Sequence, residues 1–181
     1  MTSKDGTSFD ILVGLDAALV AQVREHSLNI GDKELQENTS DYKRFGAGSY
    51  EEWYSKERTP YALVDGVGKL AALAWFGPKP LGRKSLRYLS AEELAKEGMQ
   101  EKSDWHTIVY RSYAPYRGTG LMTEFMEKIT EDYLQRYPDA KLWAGISMKN
   151  AASVALAKKL GYIQKEEYVD AEAQWCAMIR E

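Results

Sequence analysis

Apolar residues recur along the chain at two different spacings, and the switches between them mark the elements. Phe9–Val13 is short and apolar and predicts a first strand. Leu15, Leu19, Val20 and Val23 fall at helical spacing and predict a helix over 15–28, with Asp16 as its cap. Segment 29–48 is polar and mixed, a loop or a short helix. Ser49 followed by Glu52 is a capping-box pattern that opens a short helix over 50–57. Segments 61–65 and 69–76 read as two strands joined by a hairpin through Gly66 and Gly68, and Pro78 and Pro80 end the second.

An excursion over 77–104 follows. Ser90 with Glu93 is a second capping box and Gly98 a natural stop, so a helix is expected over 91–97. The charges from Lys96 to Asp104 read as solvated. Segment 105–113 is β-branched and aromatic, a strand. The clearest helix spans 121–137, with Leu121, Met122, Phe125, Met126, Ile129, Tyr133 and Leu134 apolar and charges between them. Pro138 ends it. A strand over 142–148, a helix over 151–160 closed by Gly161, and strands over 162–168 and 173–179 complete the chain. Hairpins early and strand–helix alternation late predict one α/β (α+β) domain over 9–181, behind a polar tail at 1–8.

Composition narrows the function classes. The 181 residues are 44% hydrophobic and 28% charged, enough to bury a core and unlike a disordered chain. Lys+Arg 24 against Asp+Glu 27 gives net charge -3, with no basic stripe, so no nucleic-acid partner is expected. The single Cys176 cannot form an internal disulfide, and a reduced cytoplasmic setting is the expectation. Two histidines beside it argue against structural zinc. No apolar run reaches the ~18 residues of a membrane span, and residues 1–8 lack the apolar centre of a signal peptide.

The stretch that carries chemistry is Tyr113-Ala114-Pro115-Tyr116-Arg117-Gly118-Thr119-Gly120-Leu121-Met122, between a strand and the amphipathic helix. A helix N-terminus has unpaired N–H groups and a positive dipole end. Two glycines let backbone approach a ligand closely. Together they suit a phosphate or pyrophosphate, and otherwise form an ordinary turn. Thr123 stands where a dinucleotide fingerprint needs its third glycine, and the Gly-Lys-Ser/Thr of a P-loop is absent.

Here the sequence resembles the GCN5-related N-acetyltransferase (GNAT) superfamily. Arg117-Gly118-Thr119-Gly120-Leu121-Met122 is similar to the family's Gln/Arg-x-x-Gly-x-Gly/Ala signature, departing from it at Met122. Asn150, with a following helix that closes on Leu160-Gly161-Tyr162, is similar to the family's second motif, in register with the first. The resemblance implies a mostly antiparallel mixed sheet, splayed between its fourth and fifth strands. It implies acetyl-CoA or another acyl-CoA as donor, without a metal, and a small-molecule or peptide amine as acceptor. Backbone amides of Arg117, Gly118, Thr119, Gly120, Leu121 and Met122 would hold the pyrophosphate. Tyr110 to Ser112 would pair with the pantetheine arm. Asn150 would hydrogen-bond that arm, cap the next helix, or do both. A membrane partner is not expected, and the assembly is a monomer or a homodimer.

The family's usual acid, a Tyr after the second motif's helix has begun, is Ala157 here. For the base, His106 falls near the family's position early on the fourth strand, and Tyr110 is the alternative; a structural role for His106 stands beside the catalytic one. His106, Ile108, Tyr110 and Ser112 share one strand face. His26 reads as a solvated surface residue. Trp53, Tyr54, Trp75 and Phe76 are either core or an acceptor wall, and Met122 and Met126 are core. The expected function is N-acetyl transfer by direct attack of an amine on the thioester. Ala157 leaves open a CoA-binding module without turnover, and Met122 an interaction protein that lost its ligand.

Overall fold

The computed structural model describes residues 1–3, 6–84 and 104–180. The helix expected over 91–97 and most of its charge run lie outside the described residues. The elements are β1 (Phe9–Val13), α1 (Ala17–Leu28), α2 (Lys33–Asn38), a π-helical turn (Tyr42–Gly46), α3 (Tyr50–Tyr54), β2 (Thr59–Asp65), β3 (Leu70–Pro78), β4 (Trp105–Ser112), α4 (Leu121–Arg136), β5 (Lys141–Ser147), α5 (Ala151–Lys159), β6 (Tyr162–Asp170) and β7 (Trp175–Arg180). Strand order is β1-β2-β3-β4-β5-β7-β6. β4 and β5 are parallel, while β1–β2, β2–β3, β5–β7 and β6–β7 are antiparallel. This is the α/β class and the mixed sheet expected.

The chain divides into two compact units, Met1–Phe76 with Tyr110–Arg136, and Gly77–Val109 with Tyr137–Glu181. In the first, β2 and the start of β3 are near-continuous apolar runs because both their faces are covered. Phe76 stacks on Tyr133 of α4 at 4.2 Å between ring centroids, and Tyr61 meets Phe76 edge-on at 5.8 Å. The Tyr61 hydroxyl donates to Asp132 at 2.7 Å. Leu121, Phe125, Met126, Ile129 and Tyr133 form the buried stripe of α4, as their spacing predicts. Trp75, the neighbour of Phe76 on the opposite strand face, meets Phe45 and Trp53 at 5.8 and 5.2 Å. Trp53, Trp75 and Phe76 are therefore core, while Tyr54 is exposed.

Asp16 caps α1, accepting from the Leu19 N–H at 2.8 Å. One turn on, Gln22 clasps the β2–β3 hairpin, donating to the Gly68 carbonyl at 3.0 Å and accepting from the Leu70 N–H at 2.8 Å. Segment 29–48, which shows no periodicity, holds α2 and the π-helical turn; Asp32 caps α2 through the Leu35 N–H at 3.1 Å. The tail is folded back on itself, with a bridge between Thr2 and Ser8.

In the second unit the β4–β5 ladder runs from Trp105↔Lys141 through His106↔Leu142 to Thr107↔Trp143. No further rung joins these strands among the described residues. β5 instead pairs along its whole length with β7, around a core of Trp143, Trp175, Ala177 and Ile179. The Trp143 indole N–H donates to the Lys79 carbonyl at 3.0 Å, so its buried polar atom is satisfied.

The Phe76–Tyr133 stack carries a direct test. Phe76→Ala should cost about 3–5 kcal/mol of stability, the range for emptying an aromatic site in a core, and Phe76→Leu clearly less, as read from urea midpoints.

Candidate functional site

Between β4 and α4 the chain is held at every turn. The Tyr113 N–H donates to the Ala71 carbonyl at 2.9 Å. The Tyr116 ring meets Phe9 edge-on at 5.4 Å, and its hydroxyl donates to Asp65, which also accepts the Val67 and Lys69 amides of the hairpin turn. The bond to Asp65 pushes the Tyr116 phenol up to about 12. Thr119 closes the turn through its hydroxyl, donating to the Tyr116 carbonyl at 2.6 Å.

Arg117 is spent on the protein itself. Its guanidinium donates to both Asp32 oxygens at 2.9 and 2.7 Å, to Glu34 at 3.3 Å and to the Ser112 carbonyl at 3.0 and 3.2 Å. These bonds hold the Asp32 carboxyl below its ordinary value and raise the Arg117 guanidinium. What the loop offers outward is therefore backbone. Gly118 and Gly120 have φ of 78° and 87°, a region L side chains rarely adopt, and a Cβ built on either meets nothing within 4 Å. The first amides of α4, from Leu121 and Met122, have no acceptor inside the helix. The space beside these amides is open at both glycines.

β4 presents different chemistry on its two faces. His106, Ile108, Tyr110 and Ser112 share one face. His106 is half-buried, 5.9 Å from the Tyr137 ring, within the paired rungs; Tyr110 and Ser112 come after the ladder has ended. Arg111, on the other face, donates to Asp41 through Nε at 2.6 Å and Nη2 at 3.1 Å, and to the Tyr110 carbonyl at 2.8 Å. Arg44 donates to the same carboxylate at 2.5 Å. Asp41 is 1% exposed. Burial pulls its carboxyl up, but the two guanidiniums outweigh this and hold it below its usual range. Burial also drags the Arg44 guanidinium down, since it shares its only carboxylate with Arg111. Both cations lie over Trp75, Arg44 at 5.3 Å and Arg111 at 5.1 Å from the ring centroid.

Sequence reasoning missed Asp41, Arg44 and Arg111. A charged residue in an aperiodic polar segment gives no sign of the partner, 70 positions away for Asp41 and Arg111, that buries it. The expectation for His26 is corrected: its ring is half-buried and stacked on Tyr113 at 4.1 Å. Nothing local to α1 records that the chain leaving β4 brings the Tyr113 ring against its last turn.

In the second unit, Asn150 caps α5, its side-chain oxygen accepting from the Ser153 N–H at 3.0 Å. Ala157 is buried. Among the described residues no group of three His, Cys, Asp or Glu side chains could hold a metal, and no helix is long and apolar enough to cross a membrane.

Residues 78–163 match the family model described as an acetyltransferase (GNAT) domain. No curated protein matches the sequence. Solved structures of like fold include the GNAT domain of S. lividans PAT, 15% identical, covering 99% of this chain and 93% of that one with a TM-score of 0.65. Spermidine N-acetyltransferase from Vibrio cholerae, in complex with CoA and spermine, is 12% identical, covering 94% and 92% with a TM-score of 0.61. An acyl-CoA N-acyltransferase from Pseudomonas aeruginosa is 15% identical, covering 96% and 100% with a TM-score of 0.59. At such identities the likeness is one of fold.

His26 gives this region a pH signature. Burial outweighs the nearby carboxylates and lowers its imidazole below the ordinary value. A group depressed in the folded state takes its proton first in the unfolded chain, so stability is lost as pH falls below about 6.5, through the window down to the folded value. His26→Gln should flatten that part of the stability–pH curve, measured by urea unfolding between pH 7 and 5.

Proposed function

We propose that the chain is an N-acyltransferase of the GNAT type that moves an acetyl group from acetyl-CoA to a primary amine, a reading supported by the family-model match over residues 78–163 and the fold. The observation that carries this is the pinned loop with Gly118 and Gly120 in left-handed conformation and open space above them. The backbone amides of Arg117, Gly118, Thr119, Gly120, Leu121 and Met122 hold the pyrophosphate. Met122 departs from the family's small residue but contributes the same N–H. The Arg117 side chain acts indirectly, fixing the loop to α2 through Asp32. Tyr110 and Ser112 follow the last β4–β5 rung and offer backbone to the pantetheine arm. The Asn150 side-chain oxygen caps α5, and its bond to that arm stands as what the family resemblance implies.

Bound acetyl-CoA would supply the acyl group as a thioester. An N–C bond forms as the C–S bond breaks, so the amine must be neutral and its proton must leave. His106 is the group best matched to accept a proton near neutrality, and Tyr110 is the group beyond the paired rungs. Holding amine and thioester together supplies much of the rate without either. The acceptor is a small-molecule or peptide amine rather than a nucleic acid or membrane component. The reaction belongs in the reduced cytoplasm, in keeping with the buried thiol of Cys176. We read residues 9–181 as one acyltransferase domain, a monomer or homodimer. The second reading, a CoA-binding module without turnover, rests on Ala157 standing where the family's phenol would be.

Two outcomes test the assignment. Gly120→Asp should weaken acetyl-CoA binding about a hundredfold or more by calorimetry, and Gly120→Ala, which carries the same backbone strain without the charge, much less; equal affinity in all three proteins puts the cradle elsewhere. His106→Ala should lower turnover ~10²-fold and remove the acid limb of the pH–rate profile while leaving acetyl-CoA affinity alone. An unaltered profile takes the proton away from His106.

A further inference from the structure

The first unit holds an excess of buried hydrogen-bond donors beside one carboxylate. Asp41 is shared by Arg44 and Arg111, so the cluster keeps one positive charge unmatched. Arg111 uses three of its nitrogens on Asp41 and the Tyr110 carbonyl. Arg44 uses only Nη1, and its remaining donors have no partner among the described residues. Two buried side-chain groups beside it, the Trp53 indole N–H and the Tyr113 hydroxyl, have no partner among the described residues. The Trp53 ring touches Trp75, the ring that both guanidiniums cover. Tyr113 is two positions beyond Arg111, on the same face of the chain, and its ring is 0% exposed.

Native proteins satisfy nearly all buried polar groups, because a buried donor left unpaired forfeits its bond to water and gains nothing in return. Here two buried unpaired groups can donate, and they lie beside one surplus cation, Arg44, whose remaining donors face solvent. The cation–π contacts with Trp75 offset part of the cost of that cation but supply no acceptor for its N–H groups. Arg44 is 23% exposed, so a ligand can reach it from solvent. An anion completes such a cluster. The planar guanidinium edge of Arg44 matches a carboxylate, which accepts two parallel N–H bonds.

We propose that this cluster recognises a carboxylate on the acceptor, so that the substrate is an amine of amino-acid type rather than a polyamine. This rests on the acyltransferase reading and names the substrate class for it. Arg111 lies in the stretch of β4 assigned above to the pantetheine arm, so a carboxylate at the cluster is held on the strand that presents the thioester. The net charge of -3 says nothing of this site; the three charges of the cluster, Asp41 against Arg44 and Arg111, sum to +1.

The test compares matched acceptors that differ only in this charge: leucine with leucinamide, phenylalanine with phenylalaninamide, glutamate with its α-amide, and spermidine as a polycation. Release of free thiol from acetyl-CoA gives kcat/KM, and quenching of tryptophan fluorescence in the presence of CoA gives affinity without turnover. At least one amino acid should exceed its amide by about tenfold or more in both readouts, because a site built to hydrogen-bond a group discriminates against an analogue lacking it. Arg44→Gln should bring the acid-to-amide ratio to about one. Tyr113→Phe, which removes a hydroxyl without a partner among the described residues, should lower the ratio several-fold without lowering thermal stability. Amides or spermidine equal to or better than the acids would overturn the proposal, as would a ratio unchanged in both variants. Absence of any carboxylate binding while CoA itself binds would overturn it and leave the acyltransferase reading standing. Failure of CoA to bind the wild-type protein would remove both.

Discussion

A single carboxylate, that of Asp41, orders one side of β4. It is almost wholly buried and accepts from two guanidiniums, Arg44 three residues on and Arg111 seventy residues on, on β4. Taking an ion out of water is costly, and only close, multiple hydrogen bonds to opposite charge make it tolerable. That requirement fixes the chain around Asp41 to the strand. The π-helical turn, Phe45 and Trp53 are held against Trp75 by the same contact set. The ion cluster is thus a locator for a segment with too few apolar residues to place itself by burial.

A second ionic clasp, smaller and wetter, works on the neighbouring loop. Asp32 caps α2 and grips Arg117 at the same time, while Asp65 shapes the hairpin turn and accepts from Tyr116. Each carboxylate joins a local backbone feature to a distant side chain. The result is a loop whose side chains are occupied inward and whose glycines face open space. The anion cradle proposed for this loop needs this division, because amides select an anion only if they are held still.

The two faces of β4 divide labour along the strand. His106 sits beside Tyr137 within the paired rungs, whereas Tyr110 and Ser112 follow once the ladder to β5 has ended. Arg111 points the other way, into the Asp41 cluster. Alternation with period two puts a proton-accepting candidate and an anion-binding candidate on opposite faces of one strand, and the end of the ladder decides which positions have free backbone.

The strands, the helices α4 and α5, and the Arg117–Met122 loop were legible in the sequence because they follow from local rules. Period two, period 3.6, caps and glycine at turns depend on residues a few positions apart. The hairpin at Gly66–Gly68, the Asn150 cap and the buried stripe of α4 are of that kind. Segment 29–48 was not legible, since the partners that order it, Arg111 and Arg117, lie some 70 to 85 positions away. His26 was misread for the same reason: its partner is the ring of Tyr113, delivered by a strand that forms much later in the chain. The sequence alone determined which elements form and where an anion could meet a helix end. Only the tertiary structure decided which charges are buried, which donors are left unpaired and which face of β4 each side chain serves, because those follow from distances between residues that no local pattern records.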